Sequence, residues 1–157
     1  MLFMPEFSTV LKFINDNKMK WFKSPRTYFK RGREAQDFRI IECDQRKERI
    51  KMEFRSGTLL PIEFWRFKET ISLLNNENYI PIGSRISENT LMHSVEGHLK
   101  LVAKKMYDRE TDTKTAPHVV DILVLAGIAE LGYAISESCQ EVQGVKRKSN
   151  KTPSGKK

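Results

Sequence analysis

The stretch KWFKSPRTYFKRGR, residues 20–33, sets six cations among four aromatic rings (Trp21, Phe22, Tyr28 and Phe29) and contains no acid. Cations follow a phosphate backbone by releasing its condensed counterions, and rings stack on unpaired bases at about 1–3 kcal/mol per base. The two residue types interleaved are the chemistry that a single-stranded nucleic acid needs. Read as a strand from Arg26, the segment turns Arg26, Tyr28 and Lys30 to one face and Thr27, Phe29 and Arg31 to the other. Lys20, Trp21, Phe22, Lys23 and Arg33 flank that surface, Arg49 and Lys51 extend it from a neighbouring strand, and Arg39 joins if its strand is in register. The competing reading puts Trp21, Phe22 and Phe29 in the core, whereas Tyr28, between two cations, is expected outside.

The formal net charge of +8 is concentrated rather than spread. Residues 146–157 hold six further bases and no acid, which leaves 16 bases against 20 acids in the rest of the chain. Localised positive charge suits a polyanion partner, with Lys146, Arg147, Lys148 and Lys151 as expected tail contacts. Solubility alone is the plainer use of such a tail. Its Ser, Asn, Pro, Gly and Lys composition predicts disorder when unbound.

Catalytic chemistry finds little purchase. His93, His98 and His118 have no spacing matched to zinc, and Cys43 and Cys139 are far apart in the chain. Neither a phosphate loop nor a nucleophile elbow is written here. Glu42, Asp44 and Glu53, with Lys51 nearby, are the raw material of a metal-dependent nuclease, but solvated sheet-face charges explain them more simply. Asp121 is the oddest carboxylate, three residues after His118 in an apolar segment, and is expected to take His118 or a helix terminus as its partner. The expectation is a protein that is not an enzyme, without catalytic residues, metal or cofactor.

The elements that must position these residues read as follows. Phe7, Val10, Leu11 and Ile14 recur at helical spacing over residues 7–15. FRIIEC, residues 38–43, is a strand after a turn. RIKMEF, residues 49–54, alternates strictly, with Ile50, Met52 and Phe54 facing a core and Arg49, Lys51 and Glu53 facing water or a ligand. Ser56 and Gly57 turn the chain into TLLP, a short fourth strand. A helix is expected from Pro61 to Leu74, with Phe64, Trp65 and Phe67 in the core. YIPIGSRI is limited to an edge by its proline and glycine. Ser94 caps a helix from Val95 to about Tyr107, and DRETDTK links it to HVVDILVLAGIAEL, a helix apolar nearly all round and stopped by Gly132. YAISESCQEVQGVKRK then reads as strand, loop and strand.

The fold class is therefore α+β: an antiparallel four-stranded sheet packed on helices, with a C-terminal apolar helix followed by a β-ribbon and a basic tail. Residues 1–107 form the expected sheet-and-helix binding domain, residues 108–145 a helix and ribbon packed on it, open to a winged-helix reading, and residues 146–157 the tail. Two cysteines, no secretory signal and no run long enough for a membrane span set a soluble, cytoplasmic expectation.

The basic, aromatic-bearing sheet beside helices and the segment KSPRTYFKR resemble the ThermoDBP group of archaeal single-stranded-DNA-binding proteins over approximately residues 6–105. The resemblance implies non-catalytic binding of single strands in a cleft with an apolar floor and basic edges. Trp21, Phe22, Tyr28 and Phe29 would supply floor and stacking, and Lys23, Arg26, Lys30 and Arg31 the edges. The group's namesake dimerises through a heptad zipper, which this chain lacks, so the oligomeric state is open and includes a dimer. The leading expectation is a binder of single-stranded nucleic acid, most of all DNA, with weak sequence preference. Its alternatives are an RNA-binding structural subunit of a ribonucleoprotein anchored by the tail, and a nuclease.

Overall fold

The computed structural model describes residues 4–28, 37–83, 94–108, 112–135, 139 and 141–148. Helix α1, Pro5–Asp16, starts on a proline whose missing N–H is one of the orphans of a first turn. It buries Phe7, Val10 and Ile14, the stripe its spacing demands. A hairpin pair follows, β1 (Phe38–Asp44), β2 (Arg49–Phe54) and β3 (Leu59–Glu63), joined in the order β1-β2-β3. The alternation of β2 is realised in full: Ile50 and Met52 are inaccessible and Phe54 is buried, while Arg49, Lys51 and Glu53 face outward. A bulge between Ile40 and Glu42 resets β1 so that Glu42 stands opposite Lys51 on the outer face.

Helix α2 runs Phe64–Leu73, three residues shorter at its start than Pro61 suggested. Pro61 instead lies in β3, an edge strand where a missing N–H costs no ladder bond. The helix begins where Phe64 N–H finds the Glu48 carbonyl at 2.7 Å. After the two-residue strand β4, Ile80–Pro81, helix α3 spans Val95–Tyr107, and Ser94 Oγ accepts from Gly97 N–H at 2.9 Å as the expected cap. Helix α4, Ala116–Leu125, is the apolar one, with Val119, Val120, Ile122 and Leu123 inaccessible.

The glycine that lets the chain leave α4 is Gly127, at φ +84°, and not Gly132. Gly132 is inside β5, Ala129–Ile135, where a Cβ would come within 2.5 Å of the Tyr79 ring lying across the strand. β5 pairs with β6, Glu141–Arg147, and β6 with β4, giving a second sheet in the order β4-β6-β5.

The fold is thus α+β, with four α-helices and two three-stranded antiparallel sheets among the described residues. The expected single sheet of four strands is corrected at its first member. Residues from Pro25 to Tyr28 form a 3-10 turn, because Ser24 Oγ accepts Arg26 N–H and the Arg26 side chain is drawn inward to Asp121. Thr, Tyr and Phe favour strands locally, and a buried ion pair overrides them. One apolar cluster joins α1, the inner face of β1-β2-β3, α2, α3, α4 and Val145 of β6. None of the described helices is long and apolar enough to cross a membrane.

Candidate nucleic-acid interface

The surface singled out by the sequence is built around the segment that follows α1. Met19, at φ +70°, turns the chain and donates its N–H to Ile40 O at 2.9 Å. Phe22 and Phe38 then exchange both backbone bonds, at 2.7 and 2.9 Å, so residues 19–22 run along the edge of β1 as an isolated bridge. Alternation along that edge separates neighbours. Phe22 turns inward, its ring 5.5 Å from Phe13 and 5.9 Å from Phe38, which makes it part of the core margin and not a stacking platform. Trp21 turns outward, half-buried, with the guanidinium of Arg39 4.7 Å and that of Arg55 3.9 Å from its ring centre.

Those two arginines come from different places in the sheet. Arg39 stands on β1 and is held by Glu53 of β2 at 2.7 Å, while Arg55 leaves the end of β2 and lies 3.8 Å from Asp37. Arg55 was not foreseen as a site residue, although RIKMEFR already carries the signal: the parity that turns Arg49, Lys51 and Glu53 outward continues to position 55. Lys20 Nζ sits 5.3 Å above the Phe22 ring, and Lys23 is exposed.

The outer face is less cationic than its basic residues suggest. Register places Arg39 opposite Glu53, Lys51 opposite Glu42 and Arg49 between Asp44 and Glu63. Lys51 Nζ is 3.8 Å from Glu42, and the buried Nε of Arg49 makes no hydrogen bond among the described residues. Among the described residues the cations placed against Trp21 are Arg39 and Arg55, with Lys20 and Lys23 on the adjoining stretch of chain.

Arg26 is the clearest correction. It was expected on the exposed edge, yet it is 8% exposed and its guanidinium grips Asp121 of α4 through Nε at 2.9 Å and Nη2 at 3.1 Å. Ser24 Oγ donates to the same carboxylate at 2.8 Å. Asp121 thus pairs with Arg26 and Ser24, not with His118 or a helix end. Burial pushes its carboxyl above the usual range, with Arg26 and Ser24 holding it back. His118 packs on the Phe54 ring at 4.9 Å, and burial together with the Arg26 charge pulls its pKa down to about 4.

Of the tail contacts, Lys146 and Arg147 are used by the fold. Lys146 lies 3.9 Å from Glu130 and 4.9 Å from the Tyr79 ring centre. Arg147 pairs with Glu6 of α1 and donates to Ile71 O at 2.6 Å. Lys148 is exposed. Tyr28 contributes backbone to the 3-10 turn, and Phe29, Lys30, Arg31, Arg33 and Lys151 lie outside the described residues.

The carboxylates weighed for a nuclease are engaged separately: Glu42 with Lys51, Glu53 with Arg39, and Asp44 Oδ1 with the N–H groups of Arg46 and Lys47. Among the described residues no three His, Cys, Asp or Glu side chains converge as a metal site would require. Comparison of the chain with protein families, curated proteins and solved structures finds no match.

Proposed function

We propose that this protein binds single-stranded nucleic acid, DNA foremost and without catalysis, on the outer face of the first sheet around Trp21. The observation that carries the reading is the indole itself: a half-buried ring turned to the outer face at the sheet edge, attended by two guanidiniums, with Lys20 and Lys23 close to it in sequence. A sheet that offers an aromatic platform with cations around it is a recurring solution for unpaired nucleotides. The pairing of Arg39 and Arg55 with acids is no obstacle. Partly exposed ion pairs contribute about 0–1 kcal/mol, so a phosphate can replace Glu53 or Asp37 at small cost and leave the indole to a base.

The helix α4 and the β5–β6 hairpin act in this reading as scaffold. A winged helix reads duplex DNA with an exposed helix, and the face of α4 carrying Val119, Val120, Ile122 and Leu123 is consumed by the core.

The test is anisotropy of labelled single-stranded DNA, single-stranded RNA and duplex DNA across a salt series, with the full chain and a chain ending at Lys148. Truncation must stop there because Val145 and Arg147 belong to the folded body. Preference for single strands retained by the shortened chain supports the reading. Binding indifferent to strandedness and lost with the tail sinks it and points to a ribonucleoprotein role.

A further inference from the structure

Asp121 is an expensive residue in its position. It is 1% exposed in a helix whose neighbours Val120 and Ile122 are inaccessible, and an ionised carboxylate loses several kcal/mol of hydration in such a place. Among the described residues, the hydrogen bonds that offset this loss come from one short stretch, 97 and 95 residues earlier in the chain: Ser24 and Arg26. The same stretch is tied again by Gln143 of β6, whose Nε2 donates to Arg26 O at 3.4 Å. Stability alone is a weak explanation, since apolar residues of similar volume in place of a buried ion pair are often neutral or stabilising. A forked guanidinium on a carboxylate does what apolar packing cannot, which is to fix direction.

What it fixes lies immediately before it. Trp21 lies between the Met19–Ile40 bond and the Phe22–Phe38 backbone pair, and the chain leaving that pair through Lys23 is pinned at once by the Ser24 and Arg26 bonds to Asp121. We infer that Asp121 is a positioning residue for the nucleic-acid interface, anchoring the chain just beyond Lys23 so that the Phe22–Phe38 pair, which turns Trp21 to the outer face, stays closed. This rests on the function proposed above, and it reverses a sign. Deleting an anion from a binder of polyanions strengthens long-range attraction. Deleting an anion that positions the site weakens binding.

The test is the double replacement Arg26→Met with Asp121→Leu, which removes one charge of each sign and leaves the net charge unchanged. Melting temperature, affinity for a labelled oligothymidine and Trp21 emission in a Trp65→Phe background are measured together. The expected result is a folded chain with affinity lowered about fivefold or more and shifted Trp21 emission. A folded double variant with unchanged affinity and emission overturns the inference. Should that variant not fold, Ser24→Ala, which removes one hydrogen bond, is read the same way: a loss of about two- to threefold supports the inference and unchanged affinity overturns it. If the parent chain itself fails to bind single strands, the functional reading is what fails, and the emission shift alone still reports whether Asp121 positions the segment.

Discussion

Arg26 and Arg39 are both cations expected on one basic surface, and they have opposite fates. Arg26, inside the acid-free stretch, is locked against a buried carboxylate. Arg39, on a strand between apolar neighbours, remains at the surface beside an indole and an exchangeable glutamate. The difference lies in what the fold places opposite each side chain: Asp121 on an apolar helix in one case, Trp21 and Glu53 in the other. A cation count along the chain therefore overstates the surface charge available to a ligand, and the useful cations are those whose partners are themselves exposed.

The comparison breaks most visibly in stability. Arg26→Ala leaves Asp121 buried without its counter-charge and is expected to cost about 3–5 kcal/mol in urea denaturation, with little change in the salt slope of binding. A loss below about 1 kcal/mol would show that the pair is solvated after all.

His118 gives the next largest effect, and it reports on the same buried charge. Its folded pKa of about 4 lies below the unfolded value near 6.5, so the unfolded chain takes up the proton first as pH falls. The contribution of neutral His118 is complete above pH 6.5 and is lost between 6.5 and about 4, amounting to roughly 3 kcal/mol. Denaturation at a series of pH values checks this, and His118→Leu should flatten that limb.

On the displayed side, Trp21→Ala is expected to weaken single-strand binding by about 1–3 kcal/mol without altering the salt slope. Arg55→Ala is the smallest change. It should leave stability within about 0.5 kcal/mol and flatten the slope of log affinity against log salt by roughly one unit. An Arg55 variant that lost stability but kept its slope would place that arginine with Arg26.

Much of the scaffold could be read without coordinates because local rules and burial agree there. RIKMEF alternates and is a half-buried strand, Ser94 caps α3, and the apolar helix is buried. Readings failed where a distant partner decided the outcome. The strand expected from Arg26 yields to Asp121, which leaves the first sheet with three strands, and the short edge segment near residue 80 pairs with β6 near residue 145 in a second sheet. Gly132 resembles a helix stop in sequence, yet its small size serves the Tyr79 ring. For the site, Lys51 was legible as an outward residue by alternation, whereas Trp21 reads as readily as core, and its bridge beside Phe22 and Phe38 is what turns it outward. The cancellation of charge across the outer face was not legible, since it depends on a register that includes the bulge between Ile40 and Glu42. Arg55 is legible by the same parity, one position beyond the last residue of the strand.

The central claim is that Trp21 contacts bases, and it is tested most directly by its own fluorescence. In a Trp65→Phe chain, titration with unlabelled oligothymidine should quench Trp21 emission along the same saturation curve that anisotropy gives for a labelled strand. Binding by anisotropy with Trp21 emission unchanged would contradict the account and move the ligand to another surface of the protein.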